Sequence, residues 1–356
     1  MATGNEVVNF DMMKYLREKL EGEIDVLAGV TRVASWADVQ AIVRAGLASK
    51  VFSVGDQLTC QRNGVDLVWD VIGFDHDTPA DPRFTHSMTL QLHDCFPTRL
   101  QYDAAEAMYY VNDENGLPAG TYHFTISGTD YQFTLANAVP AGGQLMLGFA
   151  NNTPARVSVA PTKGDAVTET SIAVTTGSEG AALSINYVGN TRSGSSNYNK
   201  SAIRQWLNSA ASEGSVWAPQ ADYDRPPSWA ASTAGFLNGM DADFLAVIGN
   251  VTKTTARNTV TENGGADTTV EKFFLLSRSE VNAGQENHID EGAAYPYYNN
   301  AENRVKTPPG GSATSWTLRT PDVTRIYWCR TISSSGTLDV NDANYSHGIA
   351  PACNII

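Results

Sequence analysis

The chain has 356 residues, of which 42% are hydrophobic and only 17% are charged. This composition excludes general disorder and coiled coil as descriptions of the whole chain. Lys and Arg number 24 against 38 Asp and Glu, which gives a net charge of -14. Because such a charge repels a phosphate backbone, we expect no nucleic acid as the main partner.

Neither a membrane span nor an export signal is predicted. No apolar stretch approaches the roughly 18 to 20 residues that cross a bilayer, and Met1 to Phe10 lack a basic region followed by an apolar one. We therefore expect synthesis without export and no membrane insertion. The cysteines are widely spaced and form no CxxC pair, so reduced and mostly buried thiols are expected. They are Cys60, Cys95, Cys329 and Cys353.

The first 50 residues show helical spacing. Apolar and charged side chains mix at that spacing in Met12 to Leu20, and Ser35 to Asp38 resembles a capping box before Val39 and Val43. These patterns predict a helical head over residues 1–50. Such a head serves either in oligomerisation or docking, or simply packs on the next domain, and the sequence leaves both possibilities open.

From residue 51 the apolar spacing changes to the period of two that is typical of strands. Strands are predicted at 51–54, 66–74 and 86–92, with a turn at Gly55 and Asp56. The segment 51–101 is therefore expected to begin a sheet.

Residues 102–188 predict a self-contained β insert. Apolar side chains alternate in 122–126 and again in 131–135, with a turn between them, as in a hairpin with one apolar face. Several further short strands make a β-sandwich the natural prediction. These strands are predicted at 145–149, 156–160, 171–175 and 183–187.

The polar segment 189–200 predicts a return to the first domain. Beyond Ser201, helical stripes are predicted at 203–207 and at 237–248. A buried strand at 272–277 precedes an irregular polar stretch at 283–315, and the end of the chain alternates short strands with turns.

No pattern nominates an active site. The acidic and histidine side chains of residues 75–77 are metal-ligand types, but three consecutive residues do not all point at one ion from a strand. The pairs Asp241 with Asp243 and Asp290 with Glu291 are more typical of solvated charge than of acid–base catalysis. Nucleophile-elbow, phosphate-loop and dinucleotide motifs do not occur in the sequence. We expect no catalytic residue, no metal and no cofactor.

The tail between Arg319 and Gly348 combines aromatic, arginine and small polar side chains on short turns. This composition is typical of binding surfaces, in which rigid aromatic anchors lie beside adaptable polar groups. At this point the alternative, that Tyr327 and Trp328 are ordinary core residues, stays open.

Five sequence blocks stand out in the second half of the chain: YNKSAIRQWLN at 198–208, GFLNGMDADF at 235–244, KFFLLSRSE at 272–280, WTLRTP at 316–321 and GIAPACNI at 348–355. In this order they resemble a C-terminal domain of gut-bacterial and phage proteins that is similar to the C-type-lectin-like fold of the formylglycine-generating-enzyme group. The resemblance covers residues 51–101 and 189–356. It implies an α+β fold in which a C-type-lectin-like domain is interrupted by the β-sandwich insert and preceded by the short helical segment.

Residues 316–356 resemble the variable region of diversity-generating retroelement target proteins. In those systems template adenines are copied inaccurately, so that Asn codons become codons for most amino acids. The resemblance implies a scaffold of Trp316, Leu318, Ile349, Pro351 and Ile355. The ligand-binding surface that it implies consists of Asp322, Val323, Thr324, Arg325, Tyr327, Trp328, Arg330, Asn341, Asp342, Asn344, Tyr345, Ser346 and His347. Trp328 departs from the pattern, because a Trp codon is not reached from an Asn codon in this way.

The resemblance implies a phage or prophage receptor-binding or adhesion protein that catalyses nothing. Its partners would be a host-cell surface protein or glycan, other subunits of the virion tail, and further copies of itself, for which a trimer would suit a tail tip. It would reach the virion tail after assembly in the host cytoplasm. The alternatives are a structural virion or tail protein without ligand binding, and a formylglycine-generating-enzyme-like or glycan-active enzyme. The enzymatic relatives use paired cysteines, which directs attention to Cys329 and Cys353, whereas the acidic and Asn runs that bind calcium in lectins are not found.

Overall fold

The computed structural model describes residues 33–104, 108–110, 116–126, 129–140, 144–148, 162–163, 170–171, 173–177, 195–220, 226–259, 264–325 and 327–356. These residues form a mixed fold in which strands predominate, and the main sheet curls into a half-barrel. The α+β prediction is confirmed at this level.

Within this part of the chain the helices are α1 (Trp36–Arg44), α2 (Ala48–Val51), α3 (Ala202–Leu207) and α4 (Ala242–Val247), with 3₁₀ helices at Pro296–Asn299 and Ala301–Arg304. Every one of them is too short to cross a membrane. The strands are β1 (Gln57–Arg62), β2 (Val65–Phe74), β3 (Met88–Leu92), β4 (Leu100–Gln101), β5 (Met108–Tyr110), β6 (Gly120–Ile126), β7 (Thr129–Leu135), β8 (Gln144–Gly148), β9 (Thr162–Lys163), β10 (Thr170–Ser171), β11 (Ala173–Gly177), β12 (Ile248–Gly249), β13 (Val251–Ala256), β14 (Ala266–Glu271), β15 (Phe273–Phe274), β16 (Trp316–Pro321), β17 (Trp328–Ile332), β18 (Leu338–Asp342), β19 (Ser346–His347) and β20 (Ala352–Ile355).

The main sheet joins the two segments that flank the insert. Its strand order is β1-β2-β3-β20-β12, and β15 also pairs with β20. All of these pairs are antiparallel, and β20 aligns Cys353 with Leu90 of β3. The end of the chain therefore completes a sheet that the first segment begins.

Both faces of this sheet are covered, because successive side chains of a strand point to opposite sides. Val71 belongs to a core formed with the helices, which includes Trp206 of α3 and Phe244 of α4. Its neighbour Ile72 belongs to a second core, which includes Trp316. The centre of the sheet is thus buried on both sides, and β16 is anchored in the second core.

Helix α1 packs against the same core as the sheet. The Ser35 hydroxyl accepts the N–H of Asp38 at 3.2 Å, as the capping-box pattern predicts. Val39 and Val43 are buried, and the Trp36 ring lies 4.7 Å from that of Phe244. The described part of the predicted head is therefore a helix packed on the domain. The helix predicted in residues 12–20 lies outside the described residues.

Within the insert the structure has two sheets, with strand orders β10-β7-β6-β9 and β11-β8-β5. The predicted hairpin is confirmed, with Tyr122 opposite Phe133 and their rings 5.3 Å apart. The strands predicted at 156–160 and 183–187 lie outside the described residues. The N–H of Ser195 donates to Asp103 at 3.0 Å, which joins the two chain segments from which the insert departs.

Three element predictions are corrected. The strand predicted at 51–54 is replaced by the end of α2 and a turn, since the N–H of Val51 bonds to Leu47 in a helical turn. The helix predicted from 237 begins only at Ala242, because Asp241 caps it by accepting the N–H of Asp243 at 2.9 Å. The buried strand predicted at 272–277 is limited to β15.

Candidate binding surface

A small antiparallel sheet, β16-β17-β18, and the turn between its first two strands carry nine of the thirteen residues predicted to bind a ligand. Trp328 on β17 lies opposite Asp342 on β18, so the two halves of the predicted surface are neighbours. The N–H of Ala343 donates to the carbonyl of Tyr327 at 2.8 Å and continues the contact beyond the sheet. The fold therefore brings together residues that are about fifteen positions apart in the chain.

The turn between β16 and β17 is held by hydrogen bonds of its own. The N–H of Asp322 donates to the carbonyl of Trp328 at 2.7 Å. One carboxylate oxygen of Asp322 accepts the N–H and the hydroxyl of Thr324, at 2.9 and 2.7 Å. Such an Asp-centred turn fixes the backbone locally.

Eleven of the thirteen predicted residues have exposed or half-buried side chains, and we call them the C-terminal surface. Four are exposed: Thr324, Arg325, Tyr345 and Ser346. Seven are half-buried: Tyr327, Trp328, Arg330, Asn341, Asp342, Asn344 and His347. We call the buried part of the domain that supports this surface the frame. Asp322 and Val323 are buried and are corrected from surface to frame, because Asp322 organises the turn and Val323 is only 5% exposed.

Aromatic and cationic side chains cluster on one part of this surface. The guanidinium of Arg325 lies 5.2 Å from the ring centre of Trp328, in cation–π range. The ring of Tyr327 meets that of Trp328 edge-on at 6.0 Å. Tyr345, 56% exposed, adds a further aromatic side chain to the surface. Neither Tyr327 nor Trp328 is fully buried, so they are not ordinary core residues.

The frame holds this surface mainly through hydrogen bonds to main-chain atoms of the surface. Donors outside residues 316–356 reach main-chain carbonyl oxygens of the surface and its turn, and none of these contacts involves a side chain of the predicted window. They are Gln101 to Asn344, Asp103 to Ala343, Ser196 to Arg325, and Thr259 to Val323. The corresponding distances are 2.6, 3.0, 3.4 and 2.8 Å.

Arg330 is the exception, since its side chain is tied to the frame. It donates to the buried carboxylate of Glu286 and lies 3.2 Å from Asp322. Arg278 donates to the same carboxylate at 2.8 Å. Although burial alone lowers the affinity of a guanidinium for its proton, these acidic partners raise the pKa of Arg330. Arg330 therefore combines a partly exposed position with a structural ion pair.

His347 belongs to β19 and pairs with Leu100 of β4. Burial, together with the nearby charge of Arg99, lowers its pKa to about 4. Both ring nitrogens are buried and make no hydrogen bond within the described residues. The ring is therefore neutral at pH 7.

Comparison with known protein families matches residues 170–356, just over half of the chain, to the family described as a domain of unknown function, DUF6273. The chain belongs to the DUF6273 family. The matched region includes the whole C-terminal surface and begins at Thr170 in the insert. No curated protein and no solved structure matches the chain.

Beneath the surface, the DUF6273 region contains a buried network of charges. Arg319, from the WTLRTP block, is fully buried and donates two hydrogen bonds to Glu280. Glu280 also accepts from Lys253 at 2.9 Å, and Lys253 bonds to Asp77. Burial opposes ionisation of Glu280, but Arg319 and Lys253 hold its pKa below the ordinary value. The cations and carboxylates neutralise one another, which is the requirement for burying charge.

Glu291 adjoins this network, and its carboxylate accepts hydrogen bonds from two neutral groups while the charge of Arg319 acts from nearby. It accepts the N–H of Ala256 at 3.0 Å and the hydroxyl of Thr320 at 2.6 Å. Burial raises its pKa above the ordinary value. Since Asp77 and Glu291 are both engaged in the interior, neither acts as a solvent-accessible ligand or acid–base group.

The remaining histidine and cysteine candidates are half-buried or buried in the part of the chain that the structure describes. His76 stacks on Tyr295 at 3.8 Å, and no group of three acidic, His or Cys side chains is arranged to hold a metal there. All four cysteines are buried and unpaired. Burial raises the pKa of Cys329 and of Cys353 well above the ordinary value, which opposes formation of a nucleophilic thiolate.

Several residues that support the surface were not predicted from sequence. Gln101 and Ser196 flank the insert, and Glu286 lies in the stretch predicted to be irregular and polar. The local sequence does not show whether a charged or amide residue in a polar stretch is exposed or bound to a buried partner. Lys253 carries a weak signal, because it stands in the alternating segment VTKTTA, on the face that β13 buries.

Proposed function

We propose that this protein is a receptor-binding or adhesion protein of a phage or prophage, whose C-terminal surface binds a protein or glycan on the host cell. The proposal rests on the hydrogen bonds between the frame and the surface. These hydrogen bonds end on main-chain oxygens of residues 323, 325, 343 and 344, and these oxygens are present whatever the side chain is. Exchange of the exposed side chains therefore leaves the supporting bonds intact.

The composition of the surface supports binding rather than catalysis. Tyr, Trp and Arg are the residue types that most often dominate the energy of protein interfaces. Arg325 and Tyr345 are exposed, and Arg325 forms no ion pair within the described residues, so its charge is free to meet an acidic group of a partner. An enzyme of the oxidase type would need accessible thiolates, and the burial of Cys329 and Cys353 disfavours that alternative.

The C-type-lectin-like fold, the tail location and the oligomer are parts of the same proposal. The pairing of β20 with β3 supports a lectin-like arrangement, because the end of the chain closes a sheet that was opened before the insert. Display of several copies on a virion tail would raise a modest single-site affinity by roughly 10² to 10⁴ where the geometry allows simultaneous contacts. A trimer would provide such copies.

Adsorption to host cells tests the proposal. The double substitution R325A/Y345A removes two exposed side chains, and we expect loss of adsorption with a melting temperature within about 2 °C of the parent. A matched control is T268A/V270A, which alters exposed side chains on β14, outside the surface. Unchanged adsorption of R325A/Y345A would favour a structural virion protein, and loss in both variants would show a nonspecific effect.

The neighbouring DNA gives an independent test of diversification. A reverse-transcriptase gene accompanied by a near-copy of the segment encoding residues 316–356, differing mainly at adenines, is expected. A neighbourhood without these elements in any related genome would contradict the diversified-surface proposal and leave simple adhesion in place.

A further inference from the structure

Gln101 connects three parts of the fold through one side chain. It is half-buried at the end of β4, directly before the insert. Its amide nitrogen donates to the main-chain oxygen of Asn344 at 2.6 Å. Its amide oxygen accepts both the N–H and the hydroxyl of Ser228, at 2.8 and 2.9 Å.

The main chain of Gln101 makes two further contacts in the same place. It pairs with Ser346 in the short β4–β19 ladder. Its carbonyl accepts the indole N–H of Trp229 at 3.1 Å, and the Trp229 side chain is buried. The segment 344–346 is thus connected to the Ser228–Trp229 turn through a single residue.

These contacts require an amide at position 101. One end of the side chain donates and the other accepts, and at pH 7 the carboxamide of Asn or Gln offers both in one neutral planar group. A carboxylate would still accept from Ser228 but would place an acceptor against the Asn344 carbonyl. An aliphatic side chain would lose both bonds.

We propose that Gln101 is a positioning residue of the C-terminal surface, and that the turn at Ser228 and Trp229 forms a fixed rim beside it. This inference rests on the proposed binding function. Gln101 and Ser228 lie outside residues 316–356, and the hydrogen bond and strand pairing of Gln101 with residues 344 and 346 are made to main-chain atoms. The same side chain therefore orients Tyr345 and whatever residues replace its neighbours.

Hydrogen exchange of the full chain, read by mass spectrometry, tests this role without any ligand. In Q101E at pH 7, we expect exchange of residues 342–348 to be about five to tenfold faster than in the parent, the size of effect expected for one lost hydrogen bond. The carboxyl of a glutamate protonates near pH 4.3. At pH 4 its O–H donates to the Asn344 carbonyl, and the ratio to the parent at the same pH should return to below about twofold.

Two further variants separate positioning from general destabilisation. Q101L should show faster exchange in residues 342–348 at both pH values, since it has no donor to restore. S228A should accelerate exchange in residues 226–232 and leave 342–348 unchanged, because the bond from Gln101 to Asn344 remains. Residues 251–256 of β13 serve as the internal reference for global stability.

The inference is overturned if Q101E exchanges like the parent at pH 7, or if its acceleration is equal at pH 7 and pH 4. These outcomes are independent of host adsorption. If the exchange test succeeds and the adsorption test fails, Gln101 positions the surface but the surface does not bind the host cell. If the adsorption test succeeds and the exchange test fails, the surface binds the host cell but Gln101 does not position it.

Discussion

Arg330 donates two hydrogen bonds to the buried carboxylate of Glu286, from Nε at 2.6 Å and from Nη2 at 2.8 Å. Glu286 is only 3% exposed, and it also receives the N–H of Val323 at 3.4 Å. This pair links β17 to the irregular segment beneath the surface. Within the C-terminal surface, the Arg330 side chain therefore supports the frame through a buried carboxylate.

Substitution of Arg330 is expected to destabilise the protein. R330A leaves Glu286 with Arg278 as its remaining cation, and we expect a loss of about 2 to 3 kcal/mol in the free energy of unfolding, somewhat below the range for a fully broken buried pair. R325A, which removes an exposed guanidinium, should cost less than about 0.5 kcal/mol. Urea unfolding of both variants measures the difference, and equal costs would show that the Glu286 pair contributes nothing.

Tyr345 is expected to tolerate many replacements. Its side chain is 56% exposed, and the neighbouring main chain is held by Gln101. Substitution by Ser, Asp, His or Arg should therefore change the free energy of unfolding by no more than about 0.5 kcal/mol. Thermal melts of the four variants check this. A loss of more than about 2 kcal/mol in any of them would indicate that the residue packs as core.

Glu280 and Glu291 form a matched pair for testing the buried network. E280Q removes a charge that faces both Arg319 and Lys253, and we expect a loss of about 3 to 5 kcal/mol. E291Q replaces a carboxyl whose partners are neutral, and we expect a loss of about 1 kcal/mol or less. Chemical denaturation measures the loss in the free energy of unfolding for each variant. A larger loss for E291Q than for E280Q would contradict the conclusion that Glu280 is the charged carboxylate facing Arg319 and Lys253.

The raised pKa of Glu291 adds a pH dependence to this comparison. The folded state favours the protonated carboxyl, so the stability that it contributes is lost as the pH rises through the folded-state pKa. As the pH rises from the ordinary pKa of a glutamate toward the raised folded-state pKa, the parent should lose stability relative to E291Q. Parallel pH profiles of the two proteins would argue against a raised pKa of Glu291.

His347 predicts acid sensitivity of the surface. Its pKa is about 4 in the folded state, below the ordinary 6.5, because the ring is buried. Below pH 6.5 the unfolded chain binds a proton that the folded chain does not, so stability falls as the pH is lowered from 6.5 toward 4. Between pH 7 and pH 4.5 we expect the parent to lose roughly 2 kcal/mol more than H347Q.

An exposed histidine provides the control for this experiment. His288 lies on the surface of a turn with a φ of 61°, which Asn accepts readily, so H288N is the suitable variant. H288N removes a histidine without removing a buried ring. If the pH profile of H347Q follows that of the parent, the His347 ring is accessible to protons in the folded state.

The local elements that sequence predicted correctly are those with strong periodicity or capping. The alternation in 66–74 gave β2, and the Ser35 pattern gave the start of α1. The five residues that the resemblance implies as scaffold are all buried, namely Trp316, Leu318, Ile349, Pro351 and Ile355. Boundaries failed where a side-chain cap intervened, as Asp241 shortened the helix that the apolar stripe had extended to Leu237.

The sequence by itself determined the class of fold, the buried terminal blocks and the segment whose side chains vary in exposure, because periodicity and composition are properties of neighbouring residues. Only the tertiary structure decided which of those side chains are free. It paired Arg330 with Glu286, buried Val323, and brought Gln101 to Asn344 across 243 positions. Such contacts depend on the paths of distant segments, and a polar residue has the same local pattern whether it faces water or a buried partner.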